Sequence, residues 1–153
     1  EVFSAVVARE ADLMLGSLNA SIGTSTRPDE RLSAFVLTSV RQFRALRNLD
    51  AVTKETLSEF LPLVRAERDR LWDRNCALLA GIIRAGVEGG EFRPCDVDAV
   101  AHAIVGVMQR LCSCLLSDDS AETEESFQRF SAELACLLDL FLNGLMARSG
   151  ASS

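Results

Sequence analysis

Apolar residues recur three and four positions apart along every long segment of this chain, and no segment alternates them at a period of two. Spacing of three and four lines one face of a helix, whereas alternation lines one face of a strand. The chain therefore reads as all-α, an antiparallel bundle of about six helices. Val2, Phe3, Val6, Val7, Leu13, Met14 and Leu18 trace the first helix, over residues 1–22. The Gly, Ser and Thr cluster from Gly23 to Arg27 interrupts it, and Pro28 suits an early helical position with Asp29 and Glu30 at the positive end of the helix dipole. Leu32, Phe35, Val36, Ser39, Phe43 and Leu46 share one stripe of a second helix that stops around residues 48–50. A short third helix is expected from Thr53 to Leu61. Pro62, which lacks a backbone N–H, then opens a fourth that carries Val64, Leu71, Trp72, Leu79, Ile82 and Ile83 inward as far as Glu88.

The segment from Val87 to Pro94 contains Gly89-Gly90-Glu91-Phe92, letters shared with cyclases that make cyclic dinucleotides. That chemistry needs a further acidic position, a β-hairpin and metal-binding carboxylates on neighbouring strands. Here the acidic position is missing and both flanks are helical, so the context that gives the motif meaning is absent. The segment reads as a helix stop and restart. Gly89 or Gly90 takes the left-handed conformation, Pro94 blocks continuation, Asp96 caps the next helix, and Phe92 folds back as an apolar plug.

The last two helices are apolar on more than one side. From Asp96, the residues Val97, Val100, Ala101, Ile104, Val105, Met108, Leu111, Cys112 and Leu115 form one face, while Ala99, Ala103, Gly106, Val107 and Cys114 keep the other small or apolar. From about Ala121, the residues Phe127, Phe130, Leu134, Leu137, Leu138, Phe141 and Leu145 repeat the pattern, with Ala132, Cys136, Leu140 and Gly144 behind. A helix apolar nearly all round is buried on more than one side. Terminal helices of a small domain have too few neighbours for that, so a homodimer with a four-helix interface is expected. Its residues are Ala103, Gly106, Val107, Arg110, Cys114, Leu134, Leu138, Phe141, Leu142 and Leu145. A helical adaptor that binds another protein through the same two helices is the alternative from a different functional class.

With 48% hydrophobic residues, the chain can fold as a single domain without disulfides. Its five cysteines are an odd number scattered over apolar segments, which suits a reducing, cytoplasmic setting. No apolar run reaches the roughly 18 residues of a membrane span, and no signal peptide is visible. The net charge is −6, and from Asp96 to Asp139 nine acidic residues face only Arg110 and Arg129. Such a surface repels phosphate backbones, so contact with duplex DNA is not expected from these residues.

No paired carboxylates, catalytic triad or phosphate loop stands at a workable spacing, so no catalytic residue, metal or cofactor is assigned. Cys112 and Cys114, two apart on a helix, face nearly opposite ways and do not make a metal site. His102 has no nucleophile at a helical offset and reads as a surface or interface residue, with Asp98 four residues earlier as a pairing partner. The inner stripes do combine large apolar side chains with a few polar groups, as a pocket for a small apolar or amphipathic molecule requires. The candidates are Phe35, Ser39, Phe43, Phe60, Trp72, Asn75, Cys76, Leu79, Ile104, Met108, Gln109 and Cys112. Asn75 stands out because it falls between Trp72 and Leu79, where an unpaired amide is costly.

Five features together resemble the effector domains of TetR-family transcriptional regulators. They are the opening amphipathic helix at Glu1-Val2-Phe3, the Pro28-Asp29-Glu30-Arg31-Leu32 helix start, and the Gly86-to-Pro94 junction with its Gly-Glu-Phe-Arg core, followed by the Asp96-to-Val100 start and the two apolar C-terminal helices. The resemblance implies a connecting helix over 1–22, pocket helices over 28–95, dimer helices over 96–147 and a disordered tail over 148–153. It also implies that DNA is touched only through an N-terminal helix-turn-helix domain not included in these residues; the start at Glu1, without methionine and already amphipathic, agrees. In that family an effector held among the helices changes the spacing of paired DNA-binding heads, so that they no longer match two operator half-sites.

Overall fold

A computed structural model describes residues 2–53, 61–117 and 124–147. Every element in them is helical: α1 (Val2–Ile22), α2 (Pro28–Thr53), α3 (Leu61–Glu88), α4 (Val97–Ser117) and α5 (Glu124–Leu145). The all-α expectation holds, with five helices among the described residues. The second helix does not stop at 48–50 but continues to Thr53, because nothing from Leu46 to Thr53 is a glycine or proline that would end it. The expected third helix falls largely on residues 54–60, outside the described residues. Pro62 sits in the first turn of α3, where its missing N–H leaves no helical bond unmade.

The start of α2 follows from its first residues. The Arg31 amide donates to the Arg27 carbonyl at 2.9 Å, which makes Arg27 the cap residue and Pro28 the first helical one. Asp29 and Glu30 then stand in the first turn, and Arg27 pairs with Asp29 at 2.7 Å. At the start of α4, Asp96 Oδ1 accepts from the Ala99 amide at 3.0 Å, the N-cap the sequence calls for.

α2 is the central element, in contact with each of the other four helices. It runs antiparallel to α1, to which the Ser21 and Thr38 hydroxyls tie it at 2.8 Å and Gln42 Nε2 ties it by donating to the Met14 carbonyl at 2.6 Å. Leu32, Phe35, Val36 and Val40 from α2 join Leu79, Ile82 and Ile83 from α3, Ala101, Ile104, Val105 and Met108 from α4, and Phe130, Leu134, Leu138 and Leu145 from α5 in one buried cluster. Among the described side chains of α1 the buried ones are Ala11, Leu18 and Ile22; Val6 and Leu13, expected on the inward stripe, are exposed instead, and the side chains of Val2, Phe3 and Val7 are not among those described. The physical reason is register. Leu18 and Ile22 set the inward face, and Leu13 stands roughly opposite to it at about 100° per residue.

The junction between α3 and α4 closes as expected and adds a contact that period-based reading cannot give. Gly90 is left-handed at φ 76°, and the Glu91 and Phe92 amides both donate to the Gly86 carbonyl at 2.9 Å. Phe92 is fully buried. Its segment pairs with the end of α5: the Arg93 amide donates to the Leu145 carbonyl at 2.7 Å, and the Ala147 amide donates to the Glu91 carbonyl at 2.9 Å. This antiparallel bridge, with Phe92 opposite Met146, pins the C-terminal end of α5 to the hinge between α3 and α4.

Candidate ligand site

Three stripes supply the candidate site. On α2, Ser39 falls between Phe35 and Leu32 on the helical wheel, and both of those are fully buried. On α3, Asn75 falls between Leu79 and Ile82, again both buried, with Trp72 half-buried and Cys76 buried on the same stripe. On α4, Ile104 and Met108 are buried one turn apart, and Gln109 beside them is half-buried and engaged in an interaction. Phe43 on α2 and Cys112 on α4 lie among residues whose side chains are not described, and Phe60 lies outside the described residues.

The polar atoms on these stripes are the informative ones. Ser39 Oγ and Asn75 Oδ1 are both shielded from solvent and accept or donate no hydrogen bond. A serine inside a helix can bond back to the carbonyl four residues earlier, and this one does not. Each orphaned polar atom costs on the order of 1–3 kcal/mol, so a folded chain carries such atoms at a price in stability. Thr38, one position along, shows the contrast: the residue is buried and its hydroxyl is satisfied by Ser21.

Burial, reinforced by the Asp73 carboxylate, pushes the Cys76 thiol above its ordinary range, because both disfavour a thiolate. Cys76 is accordingly a small buried hydrophobe with no reactive character. Cys95 is half-buried and Cys136 exposed, and all three are free thiols; Cys114 lies on the part of α4 whose side chains are not described. Among the described residues no group of three or more His, Cys, Asp or Glu could hold a metal ion.

The residues expected at a partner interface divide into two sets. Leu134, Leu138 and Leu145 are buried in the core of their own chain, with Phe141 and Leu142 packed partly against it. Ala103 and Arg110 are exposed and Val107 is half-buried. Gly106 faces inward far enough that a Cβ there would touch Trp72 Cη2 at 3.5 Å. The small back of α5 is open: Ala132, Cys136, Leu140 and Gly144 are all exposed, and Leu140 is 62% exposed. His102 is exposed and donates from Nδ1 to the Asp98 carbonyl at 2.8 Å, not to the carboxylate. The Asp98 carboxylate instead lies 3.6 Å from Arg84.

Sequence reading missed the polar ties between α1 and its neighbours, namely Ser21 with Thr38, Gln42 with Met14, and the exposed pair Arg74 Nη1 with Asp12 Oδ1 at 2.9 Å. Thr38 and Gln42 are four residues apart on one side of α2, and that pairing of polar positions beside an apolar stripe was the available signal.

Residues 28–131 match the family model described as tetracyclin repressor-like, C-terminal domain. Among solved structures, a transcriptional regulator from Cytophaga hutchinsonii ATCC 33406 superposes with a TM-score of 0.81 at 17% identity, over 95% of this chain and 75% of that one. The ketosteroid transcriptional regulator KstR2 of Mycobacterium tuberculosis superposes with a TM-score of 0.64 at 14% identity, over 95% of this chain and 71% of that one. No curated protein matches the sequence. At these identities the two structures share the fold, and the family match rests on residues 28–131.

Proposed function

Because this chain belongs to the tetracyclin repressor-like C-terminal domain family, we propose that it is the small-molecule-sensing and dimerisation part of a TetR-like transcriptional regulator. The observation that carries the sensing role is the pair of buried, partnerless polar atoms, Ser39 Oγ and Asn75 Oδ1, on two packed helices of the central stripe. An effector that satisfies them recovers the desolvation cost that the empty chain bears. Phe35, Trp72, Cys76, Leu79, Ile104 and Met108 supply the apolar lining, and Phe43, Phe60, Gln109 and Cys112 complete the proposed set.

Dimerisation is assigned to the outward sides of α4 and α5. Ala103 and Val107 on α4, beside the exposed Arg110, and Leu140, Cys136 and Gly144 on α5 offer small and apolar surface to a second copy. Leu134, Leu138, Phe141, Leu142 and Leu145 support that surface from beneath. DNA is contacted through a helix-turn-helix domain joined ahead of α1, since nine acidic residues against two basic ones over 96–139 leave α4 and α5 unsuited to a phosphate backbone. An effector with a few kcal/mol of preference for the DNA-released state shifts most of the population.

Native mass spectrometry of the purified chain, gentle and then denaturing, tests both parts. A dimer that carries a small molecule and releases it on denaturation is expected. An empty monomer at micromolar concentration overturns the reading and leaves a helical adaptor in its place.

A further inference from the structure

α5 ends at Leu145 without a stop signal of its own. Neither glycine nor proline stands between Leu145 and Ser149, and no basic residue lies in the last turn. Met146, Ala147 and Arg148 are good helix formers, so local chemistry favours a further turn. The end of α3 shows the contrast: Gly90 turns left-handed directly behind it, and the Glu91 and Phe92 amides close on the Gly86 carbonyl.

What ends α5 comes from the α3–α4 junction. The Met146 amide still closes a helical turn onto the Leu142 carbonyl at 2.8 Å. The Leu145 carbonyl, one of those a helix end leaves unmatched, accepts instead from the Arg93 amide at 2.7 Å, and the Ala147 amide donates to the Glu91 carbonyl at 2.9 Å. The junction side of this bridge is held in place. Phe92 is buried with its ring against Gly86, Gly90 turns the chain ahead of it, and Pro94 confines Arg93 to extended backbone. Residues 91–93 thus form a preset extended template, and the chain after Leu145 meets it with Met146 opposite Phe92.

This bridge and a further turn of α5 exclude each other. In a continued helix the Ala147 amide would donate to the Asn143 carbonyl, and the Leu145 carbonyl would accept from the amide four residues on. In the bridge both groups are already used. Met146 is exposed and Ala147 half-buried, so little apolar burial holds the bridge shut. We propose that the end of α5 is a two-state element: a clasped form, capped by the α3–α4 junction, competes with a released form in which α5 runs on through Met146 and Ala147. Release exchanges two backbone hydrogen bonds for two of the same kind, which is what makes the element switchable. Through it the junction of α3 and α4 sets where α5 ends, whatever covers the outer face of that helix.

Nuclear magnetic resonance of the purified chain and two variants tests this. In the parent, Met146 and Ala147 are expected to show the Cα shifts of extended backbone, with the Arg93 and Ala147 amides protected from hydrogen exchange. Arg93→Pro removes the donor that caps Leu145, so the Met146 and Ala147 shifts should move to helical values, with circular dichroism to confirm that the variant is folded. Ala147→Val keeps its amide and favours extended over helical backbone, so the Arg93 amide is expected to exchange at least about threefold more slowly than in the parent. Unchanged or random-coil shifts at Met146 and Ala147 in folded Arg93→Pro overturn the two-state element, as does an unprotected Arg93 amide in the parent. An Arg93 amide that exchanges as fast in Ala147→Val as in the parent does the same, and this variant decides the matter if Arg93→Pro fails to fold.

Discussion

The ring of Phe92 fills the space beside the Gly86 Cα. A Cβ built on Gly86 would lie 2.7 Å from Phe92 Cε2 and 2.8 Å from Cγ, closer than any relaxed packing allows. Gly86 is thus required by its neighbour and not by its own backbone conformation, since among the described glycines only Gly90 has a positive φ. Gly86→Ala is expected to cost about 1–3 kcal/mol by overpacking, and Phe92→Ala about 3–5 kcal/mol by leaving a cavity. The two effects share one volume, so in the Phe92→Ala background the added methyl should cost little. Urea denaturation of the double-mutant cycle measures this coupling, and additive losses would contradict the packing.

Removing the orphaned atoms should separate stability from sensing. Ser39→Ala deletes a buried hydroxyl that has no partner, and the empty chain is expected to gain on the order of 1 kcal/mol. Asn75→Leu should act in the same direction, since leucine has a similar volume and suits its buried neighbours Leu79 and Ile82. Thermal melts of both variants, made without any added ligand, check the sign. A clear loss of stability in both would mean that these atoms have partners, and the argument for a polar-anchored effector would fall with them.

Burial holds the Cys76 thiol above its usual range, with Asp73 adding to the effect. The folded chain therefore keeps this proton when the unfolded chain would release it. The resulting stability is complete below the ordinary thiol value of about 8.5 and is lost as pH rises through and above it. The unfolding free energy should fall between neutral and alkaline pH more steeply for the parent chain than for Cys76→Ala. Denaturation midpoints across that range supply the comparison, and parallel profiles would show that Cys76 does not contribute. Under native conditions an alkylating agent should modify exposed Cys136 well before buried Cys76.

Local signals in the sequence recovered the elements that depend on local chemistry. Pro28 with its acidic neighbours, Gly90, and Asp96 each act through bonds within a few residues, and each does in the structure what its type suggests. The inward faces of α2 to α5 were equally legible because burial repeats with the helical period. Register and partner choice were not. Leu13 and Val6 fit an apolar pattern and yet are exposed, since the inward face of α1 carries Leu18 and Ile22 and meets Thr38 and Gln42 of α2. The bridge from Phe92 to Met146 joins segments over fifty residues apart by backbone bonds, which side-chain type does not encode. Of the candidate site, Asn75 was visible as a polar residue inside an apolar stripe; that Ser39 and Asn75 are both partnerless required coordinates.

Leu138 and Leu140 lie two residues apart on α5 and should answer different questions. Leu138 is 8% exposed and belongs to the core, whereas Leu140 is 62% exposed with the small residues Cys136 and Gly144 on its side of the helix. Leu138→Glu buries an unpaired charge, so it is expected to unfold the chain, and loss of association in that variant says nothing about the interface. Leu140→Glu leaves the core untouched; if this side of α5 meets a second copy, the glutamates face an acidic, apolar seam and the dimer weakens by at least about 2 kcal/mol, or roughly thirtyfold in dissociation constant. Sedimentation equilibrium of Leu140→Glu, with circular dichroism to confirm its helix content, makes the distinction. A folded variant that still sediments as the parent dimer would move the interface off this side of α5 and leave Ala103 and Val107 on α4 as the surface to test next.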